Sequence, residues 1–151
     1  MLKIFYIKDR PPTDEEIISF FHMVFAPDQN KWNFYNIPKE ITNKSNREFI
    51  KYFRETLKNN KNNWSFWAKE DGQIVGMVGI NQFRDKNKTH CAELGFGVSK
   101  KFQRKNIGYQ LVCMAIKKAK SLGFKRLEAD CFANNTRAIG LLRKVGFKKK
   151  E

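Results

Sequence analysis

Residues 92–132 restrict the fold more than any other stretch of this chain. They read as a strand, a basic turn, a long amphipathic helix and a second strand. In the first strand Ala92, Leu94, Phe96 and Val98 fall on one face, and Cys91, Glu93, Gly95 and Gly97 on the other. After the turn, Leu111, Val112, Ala115, Ile116, Ala119 and Leu122 recur at helical spacing, and Gly123 follows as a C-cap. Residues 126–132 alternate again, with Leu127, Ala129 and Cys131 against Glu128, Asp130 and Phe132. Strands joined through a helix lie parallel, so this unit demands a sheet with helical cover.

The earlier chain supplies the rest of that sheet. Residues 2–8 read as a first strand. Thr13-Asp14-Glu15-Glu16 is a capping box, and it opens a helix that buries Ile17, Phe20, Phe21 and Val24 and stops before Pro27. Ser45-Asn46-Arg47-Glu48 is a second box, with Phe49, Phe53 and Leu57 on one side of its helix. Residues 64–69 and 73–82 form a hairpin around Glu70-Asp71-Gly72. The nearly all-apolar run 74–80 belongs in the middle of a sheet. A short final helix carries Ala138, Ile139, Leu142 and Val145 and ends at Gly146, and a further strand would open at Phe147. The expected order is β-α-α-β-β-β-α-β-α-β with the last strand cut short: an α/β fold, a mixed and mostly antiparallel sheet with helices on both faces, in one domain of residues 1–151.

Composition narrows the function classes. No apolar run approaches the roughly 18–20 residues of a membrane helix, and residues 1–9 lack a signal peptide's apolar block, so a soluble, cytoplasmic protein with no membrane partner is expected. Cys91, Cys113 and Cys131 show no C-x-x-C spacing, so no metal is expected and the thiols are expected to be buried and reduced. The net charge is +15, and residues 98–150 hold fifteen Lys and Arg against only Glu128 and Asp130. Such a basic half suits an anionic partner: a phosphorylated cofactor, nucleic acid or a ribosomal surface.

The turn Gln103-Arg104-Lys105-Asn106-Ile107-Gly108 has the chemistry for a phosphate. A helix start leaves backbone N–H groups unpaired and carries the positive end of the dipole. Gly108 permits close approach, and Gln103, Arg104 and Lys105 add donors at the rim. No G-x-x-x-x-G-K-[ST] occurs, and Lys100 stands where a dinucleotide fingerprint beginning at Gly95 would need its third glycine.

Residues 74–147 resemble the GNAT superfamily of acetyl-CoA-dependent N-acetyltransferases. The turn is similar to that family's Q/R-x-x-G-x-G/A pyrophosphate loop. Asn135-Thr136-Arg137-Ala138-Ile139 and Lys144-Val145-Gly146-Phe147 are similar to its N-x-x-A-I and K-L-G-F segment, and Glu93-Leu94-Gly95-Phe96-Gly97-Val98 to its fourth strand. The resemblance implies acetyl-CoA as co-substrate. It implies that Phe96, Gly97 and Val98 lie along the pantetheine arm, the outer two through their backbone groups. It implies that the amides of Gln103, Arg104, Lys105, Asn106, Ile107, Gly108 and Tyr109 wrap the pyrophosphate, that the Asn135 side chain reaches the cofactor, and that Arg104, Lys105 and Lys144 meet the nucleotide phosphates. Two positions depart from the pattern. Asn106 replaces a loop glycine, at a strain of roughly 1 kcal/mol if left-handed. Leu142 replaces the tyrosine that protonates the leaving thiolate in many members, a tyrosine that the ribosomal-protein N-terminal acetyltransferase branch also often lacks.

Acetyl transfer needs a neutral amine, so a base must take a proton. Glu93, on the strand face opposite Leu94, Phe96 and Val98, is the candidate, acting through a water. The Val98 amide is the candidate for polarising the carbonyl, and Tyr109 or Asn135 could substitute for the missing acid. Trp32 and Tyr35, between the first two helices, are candidates for the acceptor pocket. Asp14, Glu15, Glu16 and Glu40 could form an acidic patch for a cationic acceptor. The expected acceptor is a primary amine, of a protein or peptide N-terminus or of a small molecule. The alternative is a non-catalytic member of the same fold that binds CoA, RNA or the ribosome. The family usually adds a strand beyond the one opening at Phe147, so three alternatives stay open: a fragment, a truncated gene, or a chain whose unfinished sheet edge is completed by a partner.

Overall fold

The computed structural model describes residues 1–25, 45–103, 105–131 and 135–149. Within them the elements run β1 (Lys3–Tyr6), α1 (Asp14–Val24), α2 (Asn46–Asn59), β2 (Asn63–Glu70), β3 (Gln73–Gln82), β4 (Cys91–Val98), α3 (Ile107–Ser121), β5 (Arg126–Ala129) and α4 (Thr136–Lys144). The five strands form one sheet in the order β1-β2-β3-β4-β5. The first three pairings are antiparallel, and β4 and β5, joined through α3, are parallel. This is the mixed α/β architecture expected from the strand and helix patterns.

Local signals set the elements. At α1, the Thr13 hydroxyl accepts from the Glu16 N–H at 3.2 Å, and Glu16 Oε1 accepts from the Thr13 N–H at 2.9 Å, closing the box reciprocally. At α2 the forward bond forms, with Ser45 Oγ accepting from Glu48 N–H at 3.3 Å. The β2–β3 hairpin turns on Asp71 (φ 53°) and Gly72 (φ 75°), the left-handed pair that a two-residue hairpin needs. Helices α3 and α4 end alike. Gly123 and Gly146 take positive φ, and the next residues bond back five positions: Phe124 N–H to the Ala119 carbonyl, Phe147 N–H to the Leu142 carbonyl.

Two cores sandwich the sheet. On one face Ile107, Leu111, Val112 and Ala115 of α3 and Leu142 of α4 pack on Val78, Ile80, Ala92 and Leu94. On the other, Ile17 of α1 and Phe49 of α2 pack with Trp67 and Ile74. There Phe20 lies flat on Trp67, centroids 4.4 Å apart. Gly76 is what lets α3 approach the sheet: a Cβ there would stand 3.0 Å from Leu111 Cδ1 and 3.2 Å from the Gly97 carbonyl.

Three expectations change. The last strand of the sheet pairs only over Arg126–Ala129, short of residue 132. Residues 147–149 form no strand, because the Phe147 amide is drawn back to close α4. Of the three free thiols, only Cys91 is buried; Cys113, in the middle of α3, and Cys131, just past the end of β5, are half-buried.

Candidate active site

The end of β4 is where the site takes shape. Ser99 N–H donates to the Val75 carbonyl at 2.8 Å, and Phe83 N–H donates to the Cys91 carbonyl at 3.3 Å. With the pairing Val78↔Phe96 and Gly76↔Val98, the odd-numbered residues of β4 therefore direct their backbone groups at β3. Phe96 and Val98 direct theirs to the β5 side. Pairing with β5 stops at Leu94↔Ala129, while β4 continues to Val98. The two parallel strands thus part just where Phe96, Gly97 and Val98 begin.

The basic turn follows. Lys100–Phe102 forms one 3-10 turn, and Asn106 then adopts the left-handed conformation, φ 67° and ψ 15°. The Asn106 side chain makes no cap hydrogen bond, whereas Thr13, Ser45 and Asn135 cap α1, α2 and α4. Among the four helices of the described residues, α3 is the one whose first N–H groups receive no side-chain acceptor. Ile107, Gly108 and Tyr109 carry those groups; the Gln110 N–H already bonds the Asn106 carbonyl at 3.2 Å. Gly108 has a packing role as well. A Cβ would stand 3.1 Å from Leu141 Cδ1 and 3.5 Å from Val98 Cγ2, so the missing side chain lets α4 and β4 close on the start of α3.

Several expected donors turn inward. Gln103 Nε2 donates to the Val98 carbonyl at 3.2 Å, its backbone N–H donates to the Lys100 carbonyl at 3.4 Å, and its Oε1 accepts from Arg137 Nη1. Gln103 therefore ties the end of β4 to the first turn of α4. Asn135 is the N-cap of α4, its Oδ1 accepting from the Ala138 N–H at 3.2 Å. Lys105 and Lys144 lie on aromatic faces: Lys105 Nζ 5.1 Å from the Phe102 centroid, Lys144 Nζ 4.6 Å from that of Tyr109. A hydrogen bond with Cys113 pushes the Tyr109 hydroxyl pKa above its usual value, which weakens it as an acid. Leu142 is buried in the core beneath α3. Arg104, Trp32, Tyr35 and Glu40 lie outside the described residues.

Glu93 is half-buried on the face turned away from α3. It stands in a cross-strand row, Asn63↔Asn81↔Glu93↔Glu128. Burial, then Asp130, then Glu128, raise its pKa above the ordinary carboxylate range. Two members of the expected acidic patch at the start of α1 are paired with cations instead. Glu16 is gripped by Arg10 and Lys69, and Asp14 pairs with Arg54 at 2.5 Å. No group of His, Cys, Asp and Glu able to hold a metal occurs among the described residues.

Sequence reasoning missed Arg137 and Asn81. Arg137 sits inside the N-x-x-A-I segment, but nothing in the spacing says it bonds Gln103, 34 residues away. Asn81 joins Glu93 only through strand register.

Known proteins share this fold. The N-acetyltransferase of Staphylococcus aureus Mu50 superposes with a TM-score of 0.73 at 21% identity, over 99% of this chain and 86% of that one. The ribosomal-protein-alanine N-acetyltransferase of Brucella melitensis gives 0.76 at 19% identity, over 99% and 86%. An aminoglycoside acetyltransferase from an uncultured soil sample gives 0.68 at 20% identity, over 99% and 90%. At such identities the likeness is one of fold. A curated relative, an uncharacterized protein of Methanocaldococcus jannaschii, is 32% identical over 93 residues, which is 60% of this chain and 18% of that protein, so this chain spans less than a fifth of that relative's length. The family model described as acetyltransferase (GNAT) family matches residues 23–147, from the end of α1 through β4, the uncapped turn and α4. On that match the chain belongs to the GNAT acetyltransferase family.

Proposed function

We propose that this protein moves an acetyl group from acetyl-CoA to a primary amine by direct attack, with Glu93 as the base. The observation that carries the reading is the parting of β4 and β5 beside an uncapped helix start. Backbone groups of Phe96 on the open side of β4 can pair with an amide-bearing arm as a half-strand would. The N–H groups of Ile107, Gly108 and Tyr109 are aimed where the diphosphate of such a ligand would fall, and Lys105 and Lys144 add positive charge. Gln103 and Arg137 act as struts that hold this corner together.

In the reaction the amine nitrogen bonds the acetyl carbon, the carbon–sulfur bond breaks, and the thiolate leaves with the bonding pair. Glu93 takes the amine's proton, directly or through one water. Its raised pKa makes it a stronger acceptor of that proton than an ordinary surface carboxylate. Leu142 offers no proton to the sulfur, and a thiol pKa near about 8.5 lets the thiolate depart and be protonated by water.

The test is a melting curve with saturating acetyl-CoA, followed by thiol release with an amine panel. A ligand of the folded state raises the melting temperature. Absence of any shift, together with absence of thiol release for every amine, would sink the proposal.

A further inference from the structure

A cavity of about 150 Å³ lies between α2 and the sheet. Phe20, Phe53, Leu57, Trp67 and Met77 make its apolar walls, and Asn63 and Ser65 give it a polar side. It opens on the same face as Glu93, because Asn63, Ser65 and Trp67 share one side of β2 and the row Asn63↔Asn81↔Glu93 crosses that side. Two strand spacings, roughly 10 Å, separate Asn63 from Glu93.

The ground between them is ordered. Ser65 Oγ donates to Asn63 Oδ1 at 2.8 Å, and Asn63 Nδ2 donates to Asn81 Oδ1 at 2.5 Å. These side chains lie over Gly79, where a Cβ would be 3.2 Å from Ser65 Oγ. On β4, Gly95 leaves the floor open: a Cβ there would meet nothing within 4 Å. A carboxylate thus stands at one end, an apolar hole at the other, and a fixed row of amides runs between.

We infer that the cavity receives an apolar side chain of the acceptor, and that the acceptor is the N-terminus of an extended peptide. This rests on the transferase reading above for Glu93. About 10 Å is the reach of the first two or three residues of an extended chain, and a cavity near 150 Å³ holds one ring or one leucine-sized group. Competing amines fit worse. An amino sugar carries hydroxyls all round its ring, and those turned to Phe20, Phe53, Leu57, Trp67 and Met77 would lose water without gaining a hydrogen bond, which is costly. A polyamine would bring a second ammonium toward Lys8, which also lines the cavity.

The experiment uses the full chain and serine tetrapeptides with a free N-terminus, carrying a single leucine at position one, two or three. Spermidine, glucosamine and the all-serine peptide are controls. One leucine peptide is expected to raise the melting temperature without turnover, and to exceed the all-serine peptide about tenfold in kcat/KM. Leu57→Phe fills the cavity and should abolish both effects while leaving the acetyl-CoA shift intact. Leu57→Ala enlarges it and should move the preference to phenylalanine. Equal response to leucine and all-serine peptides, or a preference that survives both variants, overturns the inference. Acetyl-CoA binding and turnover without peptide preference sinks this inference alone. Peptide binding without any acetyl-CoA effect sinks the transferase reading and leaves the cavity assignment standing.

Discussion

Glu16 and Glu93 are carboxylates pushed in opposite directions by their surroundings. Glu16 is 3% exposed and accepts from both Arg10 terminal nitrogens at 2.9 and 2.7 Å, from Lys69 at 3.1 Å and from the Thr13 N–H at 2.9 Å. The Arg10 bonds foremost hold its pKa down to about 2. Its stabilising effect is complete above the unfolded pKa of about 4.3 and disappears as pH falls from there toward about 2. Glu16→Gln should therefore lower stability at pH 7 by about 2–3 kcal/mol, with the difference vanishing near pH 2, as denaturant melts at the two pH values would read. Glu93 has the reverse sign. Its raised folded pKa means stability falls as pH climbs through that value. Glu93→Gln should leave the melting temperature unchanged near pH 4 and raise it at pH 8. The same variant should lose about 10²-fold or more in kcat/KM and abolish the acidic limb of its pH profile; an unchanged limb would remove Glu93 as base. Glu16 was legible as a capping residue because its box spans four consecutive positions. Its hold on Lys69, 53 residues away, was not.

At the scale of elements, the start of α3 is the feature on which the proposed acetyl-CoA binding depends. A left-handed Asn106 turns the chain so that three amides face outward with no side chain over them. Asparagine tolerates that conformation better than any residue but glycine, and alanine does not. Asn106→Ala should cost about 1 kcal/mol in stability and weaken acetyl-CoA binding, whereas Asn106→Gly should stay within about 0.5 kcal/mol of the parent. Paired chemical melts and a ligand titration check both. The turn was readable because its signal is local: an amphipathic helix, a polar residue before it, a basic run. The end of β5 was not. Residues 130 and 131 continue the alternation that a strand requires, yet pairing stops at Ala129 although β4 runs on to Val98, so alternation alone does not show where two strands part. That early stop makes the opening at Phe96, so the least legible boundary is the one the proposed site depends on.

Across the whole molecule, a charge of +15 biases every encounter toward anions. The rise in melting temperature caused by acetyl-CoA should therefore shrink steadily from low salt to about 1 M, where the screening length is roughly 3 Å. A rise independent of salt would mean that the phosphates are not held by charge. The residue order alone determined the sequence of helices and strands up to α4, where helices are capped, that the sheet is mixed, and which turn is basic, because each follows from neighbours within a few positions or from one strand's alternation. Tertiary structure alone decided that Gln103 joins Arg137 instead of facing outward, that Glu16 is consumed by Arg10 and Lys69, and that Asn63, Asn81 and Glu93 stand in one row beside a cavity. Those facts arise from register and packing between residues far apart in the chain. No local propensity encodes such pairings, since they exist only once the sheet has closed and the helices have settled on it.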